Sequence, residues 1–306
     1  MRIAISTNWN SALHEEGAPM LDEIAALGFD AVELGYALSF GQAEEVKRRL
    51  ASGALRVTSV HAFCPNPFPG AHLGPEPFSI CDPRDLDGPR HGIDGVLATA
   101  RFASEMRAPK VVLHAGRVPV FRAASRLASM VESGKRDTPS YARRLSRFQD
   151  RRFAKSARCL DALEESLEIL LPQLRALGVT LCLENLPSGD AMPNESEMDG
   201  LLHRFEGEPL AYWHDLGHGQ IRHELGLAHH AGLVRRMAPH IGGFHVHDVL
   251  PPLRDHSMPP GGLVDFSMLK PFVGKDVPLV MEPAPGTPAA DVARGLEYLR
   301  GLLLGV

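Results

Sequence analysis

Residues 179–185, VTLCLEN, run a short, mostly apolar β-type stretch into a carboxylate, Glu184. A run of this length that is apolar on both faces suits a strand buried in a parallel sheet. The pattern recurs downstream in AYWHD (211–215), GGFHVHD (242–248) and PLVMEP (278–283). Upstream it recurs in RIAIS (2–6), DAVELG (30–35), RVTSVHA (56–62) and KVVLHAG (110–116). The predicted strands are therefore Ile3–Ser6, Ala31–Leu34, Val57–His61, Val111–His114, Thr180–Glu184, Ala211–His214, Gly243–His247 and Leu279–Glu282. Helical patterns separate them, as in MLDEIAALG, where Gly28 is a natural stop, and GQAEEVKRRLASG. Strands alternating with helices pair in parallel through crossovers, and eight short apolar units suit a closed ring. The expected fold is α/β, a (β/α)8 TIM barrel formed by residues 1–306 as a single domain. An open nucleotide-binding sheet would need a glycine fingerprint after strand one, and STNWNS (6–11) has none.

Two connections exceed ordinary barrel loops: Ala62 to about Pro89, which contains CPNPFPGAHLGPEPFS, and Gly116 to about Arg158. They follow strands three and four on the face where barrel enzymes build their sites, so both read as lids or walls. The second holds twelve Lys/Arg against three acids, a local net of +9 in a chain of net −5, leaving about −14 elsewhere. It reads as a solvated helix face, a phosphate-binding lid, or a contact with an acidic neighbouring subunit in a homo-oligomer. Positive charge confined to one insertion argues against nucleic acid, whose phosphates are normally met by several loops. The four cysteines, Cys64, Cys81, Cys159 and Cys182, form no C-x-x-C pair, which fits reduced thiols in a cytoplasm. MRIAISTNWN lacks a signal-peptide core and no run suits a membrane span, so a soluble, cytoplasmic protein is expected.

The strand ends carry the chemistry. Strand three ends at His61, strand four at His114 and strand five at Glu184. Asp215 follows strand six, strand seven carries His245 and His247, and strand eight ends at Glu282. Imidazole nitrogen and carboxylate oxygen are ligands for a divalent transition metal: Mn, Co, Zn or Fe, with Mg less suited. Glu184, Asp215, His245 and Glu282 are spaced by about one β/α unit each, which sets them at one height on the rim. His247 competes with His245 for the imidazole position. His218, in the D-x-x-H of WHDLGHG, is a candidate for substrate or a second metal. HELGLAHH, with His223, His229 and His230, reads as an ordinary helix face. Glu33 and Trp9 are candidate substrate contacts, and Trp213 a candidate apolar wall or core residue. A cation on a ketone and its neighbouring hydroxyl acidifies the C–H between them. Glu184 and Glu282, approaching from different strands, could then act as an acid/base pair across an enediolate.

The segments SVHAF, VVLHAG, LCLENLPS, WHDLGHGQ, FHVHDV, DHSMPPGGLVDF and VMEP resemble the xylose isomerase-like TIM barrel superfamily. That superfamily groups sugar isomerases and epimerases with the type-IV apurinic endonucleases (AP endonuclease family 2). The resemblance to its ketose 3-epimerases implies a metal held by Glu184, Asp215, His245 and Glu282, with the glutamates as acid/base pair. Resemblance to the endonucleases implies added metal positions at His61, His114, His218 and His256. There the chain departs from the pattern, because Arg254 stands where an aspartate is expected and would repel a cation; a substrate contact is its alternative role.

Three activities follow as expectations. The first is a metal-dependent isomerase or epimerase of a ketose or sugar phosphate, in carbohydrate metabolism. The second is a lyase or dehydratase on a keto-sugar or cyclitol. The third is a phosphodiester hydrolase on abasic DNA.

Overall fold

The computed structural model describes residues 2–51, 53, 55–68, 74–86 and 90–305. Eight parallel strands close into the expected barrel: β1 (Ile3–Ser6), β2 (Ala31–Leu34), β3 (Arg56–His61), β4 (Lys110–Leu113), β5 (Thr180–Glu184), β6 (Leu210–Asp215), β7 (Ile241–Val246) and β10 (Leu279–Met281). Around the ring the order is β1-β10-β7-β6-β5-β4-β3-β2. A small antiparallel hairpin of β8 (Asp248–Leu250) and β9 (Arg254–Ser257) rises after β7. His114, His247 and Glu282 sit just past their strand ends rather than within them.

The interior explains why the rim is polar. Ala4, Ala31, Val112, Cys182, Trp213 and Val280 form an apolar layer inside the barrel. One large ring among small side chains fills the space, as close packing requires. Gly243 makes room for it, since a Cβ there would overlap the Trp213 ring. Side chains alternate across a strand, so the residue two positions on also faces the axis, one layer higher. Val112 leads in this way to His114, Cys182 to Glu184, Trp213 to Asp215, Gly243 to His245 and Val280 to Glu282. In register Asp215 is the partner of His245, while Glu184 pairs with Trp213 and His245 with Val280, each two residues below the next donor, a stagger of the kind the tilt of barrel strands takes up.

Helices cover the outside: α1 (Gly17–Ala26), α2 (Phe40–Leu50), α3 (His91–Glu105), α4 (Phe121–Glu132), α5 (Pro139–Leu177), α6 (Glu195–Arg204), α7 (Leu216–Glu224), α8 (His230–Met237) and α9 (Ala289–Leu304). Local signals set their ends. Ser39 with Gln42 and Asn194 with Glu197 form capping boxes, and Gly178 ends α5 at φ 69°. Among the described residues, no helix is long and apolar enough to cross a membrane. All four cysteines are buried and free.

Of the readings open for segment 116–158, the solvated helix face is the one observed: it forms α4 and the first half of α5. Thr138 caps α5 by accepting from the Tyr141 N–H, with Pro139 in the first turn. Tyr141, Phe148, Ser156 and Cys159 make a buried stripe along it. At 39 residues α5 is about 58 Å long, well beyond one barrel crossover. Its first half packs on the β5–α6 connection and the end of α7. Tyr141 donates to the Leu225 carbonyl, and Arg152 to those of Gly189 and Ala191 and to Glu197. Most of the remaining cations in the segment point to solvent. Residues 69–73 and 87–89 of the other long connection lie outside the described residues.

HELGLAHH, in contrast, is not one helix face. It spans the turn from α7 to α8, and His230 is buried, its Nε2 3.0 Å from that of His214.

Candidate metal centre at the barrel mouth

Glu184, Asp215, His245 and Glu282 each offer a ligand atom, and these atoms all lie within 4.8 Å of one another. Each of the four is buried. Three buried carboxylates this close need compensating positive charge. Burial alone would raise the Glu184 carboxyl, yet His245 and His114 hold it well below the usual carboxylate range. The Asp215 carboxyl, opposed by burial, is likewise held down by His218 and His247. Glu282 is lowered by His245 and His256 against its burial. In return, Glu282, Glu33 and Glu184 raise His245 well above an ordinary imidazole, although burial works the other way. The proton held on His245 thus offsets the charge of the three carboxylates, and the mixed N/O donor set fits a divalent transition metal in that proton's place.

The two candidates for the imidazole position differ in what their nitrogens touch. His245 Nε2 lies 3.1 and 3.2 Å from the two Glu33 oxygens, and its Nδ1 faces Glu184 at 3.1 Å and Glu282 at 3.4 Å. Glu33 receives the Ser59 hydroxyl at 2.8 Å. The Ser59–Glu33 pair thus fixes the far nitrogen and leaves Nδ1 to the cage. His247 has no such freedom: its Nδ1 accepts from the His256 N–H at 2.9 Å, and its Nε2 lies 3.0 Å from Asp215. Asp215 also caps α7, accepting from the His218 N–H at 2.7 Å.

Three further groups share this mouth. His61, His114 and Glu184 bring three ligand atoms within the same 4.8 Å limit, as do His218, His247 and His256 and, sharing two donors with the cage, His61, His245 and Glu282. His114 Nε2 is 3.1 Å and His61 Nε2 3.3 Å from Glu184. Burial would lower His114, but Glu184 and Glu76 raise it to about 8. Asp215 and Glu184 similarly raise His218 to about 9. Membership in the His218–His247–His256 group would cost His247 one of its two hydrogen bonds. His256 reaches the mouth from β9 at φ 50°, a left-handed backbone, with its ring stacked on His247 at 4.2 Å.

Above these residues opens a cavity of about 450 Å³, with Tyr36, Glu76, Arg117, Leu186 and Pro187 in its wall. A larger cavity of about 630 Å³, lined by Arg2, Arg56 and Lys110, lies at the opposite end of the barrel. It is remote from the metal-type clusters, and barrel chemistry sits at the C-terminal face. The sequence-derived substrate contacts fall elsewhere. Glu33 lies behind His245, and Trp9 is buried with its Nε1–H donated to the Thr287 carbonyl. Arg254 is exposed on β9, outside the cavity wall. Sequence reasoning missed Tyr36, Glu76 and Arg117. Glu76 lies in a Pro-rich loop with no periodicity, and only the fold brings it to Arg117, 41 residues away.

The sequence profile of the xylose isomerase-like TIM barrel family matches residues 21–302, and the chain belongs to that family. No curated protein matches it. Among solved structures, a D-tagatose 3-epimerase-like protein superposes with a TM-score of 0.68 at 18% identity, over 99% of this chain and 97% of the other. The 3-keto-D-glucoside 4-epimerase of E. coli superposes at 0.69 with 19% identity, over 98% and 99%. A D-psicose 3-epimerase from Clostridium cellulolyticum H10 gives 0.66 at 14% identity, over 99% of both chains. At these identities the likeness shows a shared fold.

Proposed function

We propose that this family member is a divalent-metal-dependent isomerase or epimerase that moves a proton on the carbon beside a ketose or keto-sugar carbonyl. The observation that carries this reading is the four-donor cluster of Glu184, Asp215, His245 and Glu282 beneath an open cavity. The structural neighbours, among them sugar 3- and 4-epimerases, support it. A cation held there would supply Lewis acidity to the carbonyl and the adjacent hydroxyl.

The protein's own groups do the rest. Glu184 and Glu282 stand on β5 and just past β10, three strands apart in the ring, so they approach a substrate from different sides. Both carboxyls are held low and are therefore ionised at neutral pH, ready to accept a proton. One removes the carbon-bound proton; the other takes up a proton from solvent and delivers it to the opposite face of the same carbon. His114, its Nε2 3.1 Å from Glu184, donates a hydrogen bond that steadies its charge, and the His61 ring stands beside the same carboxylate at 3.3 Å. Leu186, Pro187 and Tyr36 exclude water from one wall.

The test is solvent-deuterium uptake by a panel of ketoses and keto-glycosides with metal-loaded protein. Uptake at the carbon next to the carbonyl is expected, and its absence across the panel would sink the reading.

A second reading, phosphodiester hydrolysis, is favoured by one observation: the His61–His114–Glu184 and His218–His247–His256 groups could hold additional cations. It predicts cleavage of abasic DNA at low salt with zinc or manganese present, and no cleavage removes it.

A further inference from the structure

Four cations converge on the cavity of about 630 Å³ at the N-terminal end of the barrel: Arg2, Arg56, Arg107 and Lys110. Asp276 is the one acid in its wall among the described residues, so the local balance is +3 in a chain of net −5. The strands aim two of these cations. Arg2 and Lys110 stand two positions before Ala4 and Val112 of the interior layer, so alternation turns both toward the axis beneath it. Arg56 opens β3, the neighbour of β4 in the ring. Like charges gathered in one concavity repel, and the fold supplies little to offset them. Among the described residues the side chains of Arg2, Arg56 and Arg107 have no hydrogen bond or ion pair, and Lys110 Nζ reaches only the Asp276 main-chain carbonyl, at 3.5 Å.

Arg107 is set apart by its backbone as well. It follows α3 in a left-handed conformation at φ 55°, its N–H donated to the Ser104 carbonyl and that of Ala108 to Ala103. Glycine is the favoured residue in this helix-ending motif, and Gly28 after α1 and Gly178 after α5 adopt the same left-handed conformation. An arginine bears the steric cost of that backbone, while its exposed side chain bonds to nothing in the fold. Among the described residues the only other non-glycine residue at positive φ is His256, at the mouth. Backbone strain held at a residue with a free guanidinium points to a ligand.

We infer that this cavity is a binding site for an oligophosphate, free or carried on a nucleoside. Two phosphoryl groups carry about −3 at neutral pH, which matches the cluster. Guanidinium forks suit phosphate oxygens. Leu50, Leu55, Met106 and Val277 add an apolar wall against which a base could lie, and the volume is in the range of small-molecule sites. The site is independent of the chemistry at the mouth.

Titration calorimetry of the intact protein with inorganic pyrophosphate and, separately, with ADP tests it. Saturable binding at one site per chain is expected, lowered about tenfold in each of Arg56→Gln and Arg107→Gly. In Arg107→Gly the ligand-free melting temperature should hold or rise by about 1–3 °C, because glycine suits the left-handed backbone. ADP binding more tightly than pyrophosphate would identify the nucleoside-borne form, and equal affinity the free one; either supports the site. Absence of saturable heat with both ligands would overturn the inference. So would affinity unchanged in both variants, which would put the anion elsewhere, the histidine-rich mouth included. Affinity lost only together with melting temperature in both variants would mark the arginines as structural and overturn it too.

Discussion

Replacing Glu33 tests the claim that His245 is prepared for a cation by what lies behind it. Both Glu33 oxygens reach His245 Nε2, at 3.1 and 3.2 Å, and neither side chain has solvent access. Glu33→Gln removes the charge but keeps the shape and one acceptor. A hydrogen bond to a buried charged group is worth about 1.5–3 kcal/mol, or roughly 10- to 150-fold in affinity. Loss of such an orienting carboxylate behind a metal-bound histidine is typically about 10- to 100-fold. A counter-effect has to be separated. Glu33 is one of the carboxylates that raise His245, so the variant also weakens proton competition for that nitrogen. The assay is therefore zinc or cobalt titration against a chromogenic chelator, repeated from neutral pH to about pH 9, where proton competition fades. The expected result is a partial loss at neutral pH that grows to the full factor at the alkaline end. Unchanged affinity at high pH, with the near-UV circular dichroism of the parent, would refute the reasoning.

Other outcomes follow from the same geometry. Gly243→Ala forces a Cβ into the Trp213 ring and should cost about 1–3 kcal/mol of stability, read as a lower Tm with the metal site weakened in step. Glu184→Gln and Glu282→Gln should each lower proton exchange by about 10²- to 10⁴-fold; a loss in one variant only would reduce the acid/base pair to a single base. Metal-stripped protein should lose stability as pH rises from about 6.5 through 8 and 9. His114 and His218, raised to about 8 and about 9, give stability that is full below the unfolded value and gone above the folded one. Metal binding displaces the proton that Glu282, Glu33 and Glu184 hold on His245, so the Tm gain on adding zinc should grow as pH rises. Parallel melting curves with and without chelator would contradict this.

The barrel was legible because buried parallel strands are nearly continuous apolar runs, and the cage because side chains alternate. Once Cys182 and Val280 are read as inward, Glu184 and Glu282 must share the axis above them. The choice between His245 and His247 was not legible, since both face inward. It turns on Glu33 and on the His256 N–H, which come from strand two and from a hairpin. In segment 116–158 the charge announced a solvated helix face but hid the buried stripe at Tyr141, Phe148 and Cys159. Glu76 and Arg117 gave no signal, because a side chain that meets its partner only through the fold leaves no spacing to read.

The central claim is that one cation sits among Glu184, Asp215, His245 and Glu282. An anomalous diffraction map from crystals grown with zinc tests it most directly. The account predicts a peak about 2.0–2.2 Å from one atom of each of the four residues, with His245 binding through Nδ1. Peaks confined to the His61–His114 or His218–His256 groups, with none inside the four-residue cage, would contradict it.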